Sequence, residues 1–163
     1  MPISLYQKFV PKVFEALDGV ISVSQATREE CIKRGMAPEK GVALPNGFDM
    51  SHLKESPEKE VARNHIEKAF KLDLNNKYLL LTVGRQVKRK GHAWFIENVL
   101  PELQSDVIYL AIGEGPEHEN LKQIVQENSL EEKVLLVGKQ PDEILRFAYA
   151  ASDVFIMPNV PVE

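Results

Sequence analysis

The sequence predicts an α/β fold: a doubly wound parallel sheet, incomplete within the chain, preceded by a remnant of a second α/β unit. Three observations predict it. Four short apolar runs rich in β-branched residues and Leu each end at a turn residue: Tyr78–Val83 at Gly84, Val107–Ile112 at Gly113, Val134–Val137 at Gly138 and Val154–Met157 at Pro158. Strands buried on both faces read this way. Segments with helical spacing of apolar residues lie between them. The alternation repeats every 25 residues or so, roughly the length of a βαβ step, and this calls for parallel strands with helices on both faces.

The elements follow in order. A helical stretch from Leu5 to Leu17 leads into a strand, Gly19–Val23. The Ser24 hydroxyl can cap a helix running to Arg34, and Gly35 suits the position just past its end. A second short strand, Val42–Leu44, breaks at Pro45-Asn46-Gly47, a strong turn signal. The next segment is polar and helical from Pro57 to near Phe70. A domain junction is expected close to Asn46–Asp49, so that 1–46 form the tail of one domain with its hinge, and 47–163 a second domain. In the second, the four strands take the 3-2-1-4 part of a 3-2-1-4-5-6 sheet. Their connecting helices are expected from His92 to Leu103, from Glu117 to Asn128 and from Asp142 to Ala151. Trp94, Phe95, Val99 and Leu100 make the core face of the first, and Pro101 marks a break or kink in it. Leu121, Ile124 and Val125 face inward from the second, and Ile144, Leu145, Phe147 and Ala148 from the third. Asp153, just before a buried strand, reads as a capping or packing acid.

Composition narrows the function. With 163 residues, 44% hydrophobic and 27% charged, the chain has the apolar side chains that a disordered protein lacks. No apolar run approaches the roughly 20 residues of a membrane span. Lys8, Pro11, Lys12 and Glu15 interrupt the first apolar stretch, which argues against a signal peptide. One cysteine, Cys31, makes no internal disulfide and points to a reducing cytosol. The histidines (His52, His65, His92 and His118) have no metal-ligand spacing with carboxylates or Cys31, so no metal is expected. The net charge of −4 excludes a general affinity for nucleic acid.

One segment departs from that average. Arg85 to His92 reads RQVKRKGH, with four cationic side chains and no acid. On charge alone it is either a solvated loop or a site for one small anion. Its position favours the anion. Ligands of such sheets bind beyond the carboxyl ends of the strands, near the switch point. Gly84 there lets backbone approach a ligand closely. The run ends just before a helix, whose N-terminus carries partial positive charge and free N–H groups. Arg85 and Lys90 are therefore the candidate ligands of a phosphate or diphosphate, with Lys88 and Arg89 facing solvent. Gly113-Glu114-Gly115 is either a tight βα turn with Pro116 near the first helical position or a ligand contact. Gly138-Lys139-Gln140 could offer backbone groups to a planar base.

Taken together, Pro45-Asn46-Gly47-Phe48-Asp49, Val83-Gly84-Arg85 with Lys90-Gly91, Ile112-Gly113-Glu114-Gly115-Pro116, and Ala151-Ser152-Asp153-Val154-Phe155 with Pro158-Asn159 resemble, in order and spacing, the signatures of the family 4 retaining glycosyltransferases (glycosyl transferases group 1). Val20-Ile21-Ser22-Val23-Ser24 resembles the last core strand of that family's N-terminal domain. The resemblance implies two Rossmann-like domains and transfer of a sugar from a nucleotide-diphospho-sugar to an acceptor with retained anomeric configuration. It implies that Arg85 and Lys90 bind the donor diphosphate and stabilise the charge gained by the leaving nucleotide without a metal or other cofactor. Gly84, Gly113 and Glu114 would line the donor site, and Gly138, Lys139 and Gln140 would hold the base, largely through backbone groups. Gln86 stands where many relatives carry an apolar residue, and Lys88, Arg89 and His92 make the loop unusually basic. The family's acidic Glu-x7-Glu element would follow Glu163, and the acceptor-binding bulk of the first domain, with its glycine-rich loop and histidine, would precede Met1. The chain would then be the middle of an enzyme, with the rest of it as a necessary partner and a carbohydrate or lipid-linked acceptor, working in the cytoplasm or at a membrane surface. The alternative is a non-catalytic nucleotide-sugar-binding or assembly module.

Overall fold

The computed structural model describes residues 3–47 and 56–161; the proposed junction residues Phe48 and Asp49, and Glu163, lie outside them. The chain divides into two compact units, 1–51 and 52–163.

In the first unit, α1 (Ile3–Ala16) is followed by β1 (Val20–Ser22), α2 (Gln25–Lys33) and β2 (Gly41–Ala43). The two strands pair in parallel, Val20 opposite Gly41. Ser24 caps α2 as expected: its Oγ accepts from the Thr27 N–H at 3.1 Å. The Lys40 ammonium donates to the Glu15 and Leu17 carbonyls at 3.0 and 2.8 Å, supplying partners for carbonyls that the end of α1 leaves open.

The second unit holds α3 (Lys59–Phe70), β3 (Tyr78–Val83), α4 (His92–Asn98), β4 (Val107–Ile112), α5 (His118–Glu127), β5 (Val134–Leu136), α6 (Asp142–Ala151) and β6 (Val154–Phe155). Its strands are all parallel in the order β5-β4-β3-β6. That is the expected 3-2-1-4 arrangement, with the switch point between β3 and β6. All six residues of β4 are buried. Below one sheet face, Phe95, Ile96 and Leu100 of the α4 region and Leu121, Ile124 and Val125 of α5 pack on Leu80, Tyr109 and Ala111. On the other, Ala62 and Ile66 of α3 and Ala148 and Ala151 of α6 pack on Leu79, Leu81, Ile108 and Leu110.

Four expectations change. The helix after His92 ends at Asn98, and Leu100–Glu102 form a separate 3-10 turn. Pro101 has no N–H for the ladder, and its ring disfavours helix in the preceding turn. Trp94 is not core but 48% exposed, because the α4 stripe that reaches the sheet runs through Phe95 and Ile96. Pro116 precedes the Glu117 cap of α5 instead of opening the helix. The last strand pairs over Val154 and Phe155 alone, as the chain leaves the sheet toward Pro158.

Asp153 holds α3 to the sheet. Its carboxylate accepts from Lys59 at 2.6 Å, Arg63 at 3.1 Å and the Leu79 N–H at 2.7 Å. Burial pushes its pKa up, but the bonds from Lys59 and Leu79 and the Lys59 and Arg63 charges outweigh this and hold it below the ordinary 3.8. A depressed folded-state pKa contributes stability that is present above the unfolded value and lost as pH falls through the folded one. Asp153→Asn is therefore expected to destabilise the unit by about 2 kcal/mol at neutral pH, the scale of charge-assisted bonds. Urea unfolding should show that gap closing as pH falls below about 4, the unfolded carboxylate range. A gap constant down to acid pH would contradict the assignment.

Candidate functional site

At the carboxyl end of β3 the chain leaves the sheet at Gly84 and crosses to α4 through a 3-10 turn, Lys88–Lys90. Gly91 closes that turn with φ of +69°, and its N–H donates to the Lys88 carbonyl at 2.9 Å. A Cβ at Gly91 would lie 3.1 Å from the Pro158 carbonyl oxygen, so glycine is required there by conformation and by space. Gly84, Arg85, Val87, Lys88, Arg89 and Lys90 line one open cleft of about 490 Å³. Arg85 and Lys90 thus meet in one cleft. Lys88 and Arg89, expected to face solvent, are exposed but border it too.

The neighbouring loops are laced to this one. Gly84 donates to Ile112 and Gln86 to the Glu114 carbonyl, each at 2.9 Å, and the Glu117 N–H returns to the Gln86 carbonyl at 3.1 Å. Gly113, at φ of +137°, lies so close that a Cβ would run into the Gly84 carbonyl, and one at Gly115 would run into that of Gln86. Gly113-Glu114-Gly115 is therefore a tight turn packed against the basic loop. Gly113 donates to the Gly138 carbonyl at 2.8 Å, and the Lys139 N–H reaches Glu114 Oε1 at 3.5 Å. The Gln140 amide donates to the Val137 carbonyl at 2.5 Å, inside its own loop. The segment after β6 closes the other side: Val160 N–H donates to the Arg89 carbonyl at 3.0 Å, and Lys90 Nζ rests 3.4 Å from Met157 Sδ.

Two polar side chains in this loop do something other than the sequence suggested. Gln86 is fully buried, and its Oε1 accepts from His118 Nδ1 at 2.6 Å. His92 is 3% exposed and adds nothing to the basic character of the loop: burial, and then the Lys90 charge, hold its pKa below the ordinary imidazole value. Its Nδ1 lies 3.0 Å from the Tyr109 hydroxyl, which donates to Thr82 Oγ1 at 3.0 Å, and Thr82 donates to the Ile156 carbonyl at 2.7 Å. Burial pushes the Tyr109 hydroxyl up to about 12, the Thr82 bond working the other way. Tyr109 was the available signal, since a tyrosine inside a strand buried on both faces needs a partner for its hydroxyl.

Among the described residues no group of His, Cys, Asp and Glu could hold a metal ion, and no helix is long and apolar enough to cross a membrane.

Residues 77–163 match the family described as glycosyl transferases group 1. The chain is 24% identical over 144 residues to the phosphatidylinositol N-acetylglucosaminyltransferase GPI3 subunit of Saccharomyces cerevisiae, an alignment covering 86% of this chain and 30% of that protein. It is 28% identical over 137 residues to the Campylobacter jejuni N-acetylgalactosamine-N,N'-diacetylbacillosaminyl-diphospho-undecaprenol 4-alpha-N-acetylgalactosaminyltransferase, covering 83% of this chain and 34% of that one. It therefore spans about a third of the length of these relatives. The crystal structure of Anabaena Alr3699/HepE in complex with UDP superimposes with a TM-score of 0.81 at 21% identity, covering 99% of this chain and 44% of that one. The parallel sheet, its switch-point cleft and a family match over more than half of the sequence lead to one conclusion: the chain belongs to the glycosyl transferases group 1 family.

Proposed function

We propose that residues 47–163 are the donor domain of a retaining glycosyltransferase, with 1–46 the tail of the acceptor-side domain and hinge. Arg85 and Lys90 bind the diphosphate of a nucleotide-sugar. Gly84, Gly113 and Glu114 shape the donor site, and the loop Gly138-Lys139-Gln140 receives the base. The observation that carries this reading is the meeting of Arg85 and Lys90 in one cleft beyond the carboxyl end of β3, beside the switch point. Chemically, departure of the sugar leaves a nucleoside diphosphate with added negative charge. Cations already in place stabilise that charge more than they stabilise the intact donor, which lowers the barrier. No metal or other cofactor enters this mechanism.

UDP, bound in the HepE crystal, is the natural probe. Calorimetry should show weak UDP binding that fades with salt, since ion contacts in an open cleft are screened, and weaker binding still of UMP. Equal affinity for UDP and UMP would overturn the diphosphate assignment. Lipid-linked acceptors fit the names of the two relatives above, and on this reading the complete enzyme would work in the cytoplasm or at a membrane surface. Transfer requires two domains to close on the donor and exclude water, so the 163-residue chain alone is expected to turn over no UDP-sugar. Product formed above the level of an Arg85→Ala/Lys90→Ala control would contradict this.

A further inference from the structure

The polar chain behind the basic loop returns to its own starting point. A carbonyl can only accept, so Thr82 spends its proton on Ile156 and must accept from Tyr109; Tyr109 has then spent its proton, and His92 Nδ1 must donate to it. His92 is thereby fixed in the Nδ1–H form, and its Nε2, buried without a partner, is a bare acceptor. Ile156 is joined to Met157, whose sulfur touches the Lys90 ammonium at 3.4 Å. Lys90 in turn precedes Gly91 and His92. Three hydrogen bonds, one sulfur contact and two short stretches of backbone thus close a ring through Lys90, and the ring grips that residue twice: at the backbone it springs from and at the charge it carries.

Apolar side chains could fill the same buried volume at little or no loss of stability. Directional bonds select a single arrangement of the groups they join. Resting on the reading of Lys90 as a diphosphate ligand, we propose that His92, Tyr109 and Thr82 are positioning residues that hold the Lys90 ammonium at the place where the diphosphate sits. They touch no substrate and act through the Lys88–Gly91 turn and Met157.

Tyr109→Phe deletes one hydroxyl and keeps the ring, which packs 4.9 Å from Phe95; Thr82→Val is the second, independent break. UDP affinity is measured for the wild type, each variant, Lys90→Ala, and each variant combined with Lys90→Ala. Either break should weaken UDP about 3- to 10-fold when Lys90 is present and less than about 2-fold when it is absent, the coupling expected within one network. Equal losses in both backgrounds would leave these residues a purely structural role and overturn the proposal. Should Lys90→Ala bind UDP like the wild type, it is the diphosphate reading that fails, and the positioning role falls with it. The ring itself is tested without ligand: nitrogen-15 resonances of the His92 imidazole should show a protonated Nδ1 and a bare Nε2, and a protonated Nε2 would overturn it.

Discussion

Lys90→Ala and Arg85→Ala are each expected to weaken UDP binding by about 10- to 100-fold. As the proposed diphosphate ligands, each would supply a hydrogen bond between charged groups, which contributes about 1.5–3 kcal/mol, and 1.4 kcal/mol is a factor of ten. Lys88→Ala and Arg89→Ala should cost less than about fivefold, the range of exposed, screened charges. All four side chains border the cleft, so the comparison carries information that inspection does not. Lys90 rests against Met157 Sδ, and Arg85 follows Gly84 and precedes the buried Gln86, whose amide oxygen accepts from His118. Calorimetry on the four variants decides the matter. Equal losses at all four positions would mean a diffuse basic patch.

Gly113→Ala is expected to have the largest effect on stability. At φ of +137° an L side chain is strained, and the new methyl would collide with the Gly84 carbonyl. Strain of this kind costs about 1–3 kcal/mol, and relieving the collision would break the bond from the Gly84 N–H to Ile112. A loss of at least about 3 kcal/mol follows, equivalent to a fall in melting temperature of roughly 10 °C or more for a unit of this size. Gly84→Ala is the control: its Cβ would meet only Met157 Cε at 3.9 Å, an ordinary contact. Thermal melts should separate the two variants widely. Similar melting temperatures would show that the βα loops do not pack as described.

The sheet was legible because strands buried on both faces carry uninterrupted apolar runs, and the spacing of Gly84, Gly113 and Gly138 marked where each run leaves the sheet. Alternation of strand and helix pointed to parallel βαβ units, and the 3-2-1-4-5-6 doubly wound pattern supplied the strand order. Trp94 was misplaced because its neighbours Phe95 and Ile96 suffice to cover the sheet, and helical spacing alone does not say which apolar residue of a wide stripe reaches it. The cations of the site were legible as charge, since nothing else in the chain concentrates it so. His92 and Gln86 were not, because the burial of a polar side chain depends on partners distant in sequence. His92 Nδ1 bonds to Tyr109, which is 17 residues away, and Gln86 Oε1 to His118, which is 32 away, while Nε2 of each stays buried without a partner. Local pattern treats both as loop residues; the packed structure turns them into anchors.

Among the described residues of the second unit, two clefts are rich in basic side chains, and they lie at opposite ends of the sheet. One is the cleft of the Arg85–Lys90 loop. The other, about 400 Å³, is lined by Lys59, Arg63, Asn76, Lys77, Tyr78 and Asp153, and there the Asp153 carboxylate pairs with both Lys59 and Arg63 and offsets one of the three positive charges. Of the two, the first stands at the switch point with several cations left to meet an anion. Residue-resolved NMR titration of the nitrogen-15-labelled chain with UDP tests that distinction directly. Amide shifts are expected to concentrate at 84–91, with a second group at 113–115 and 138–140. Shifts centred on Lys77 and Asp153, or spread evenly over both clefts, would contradict the account.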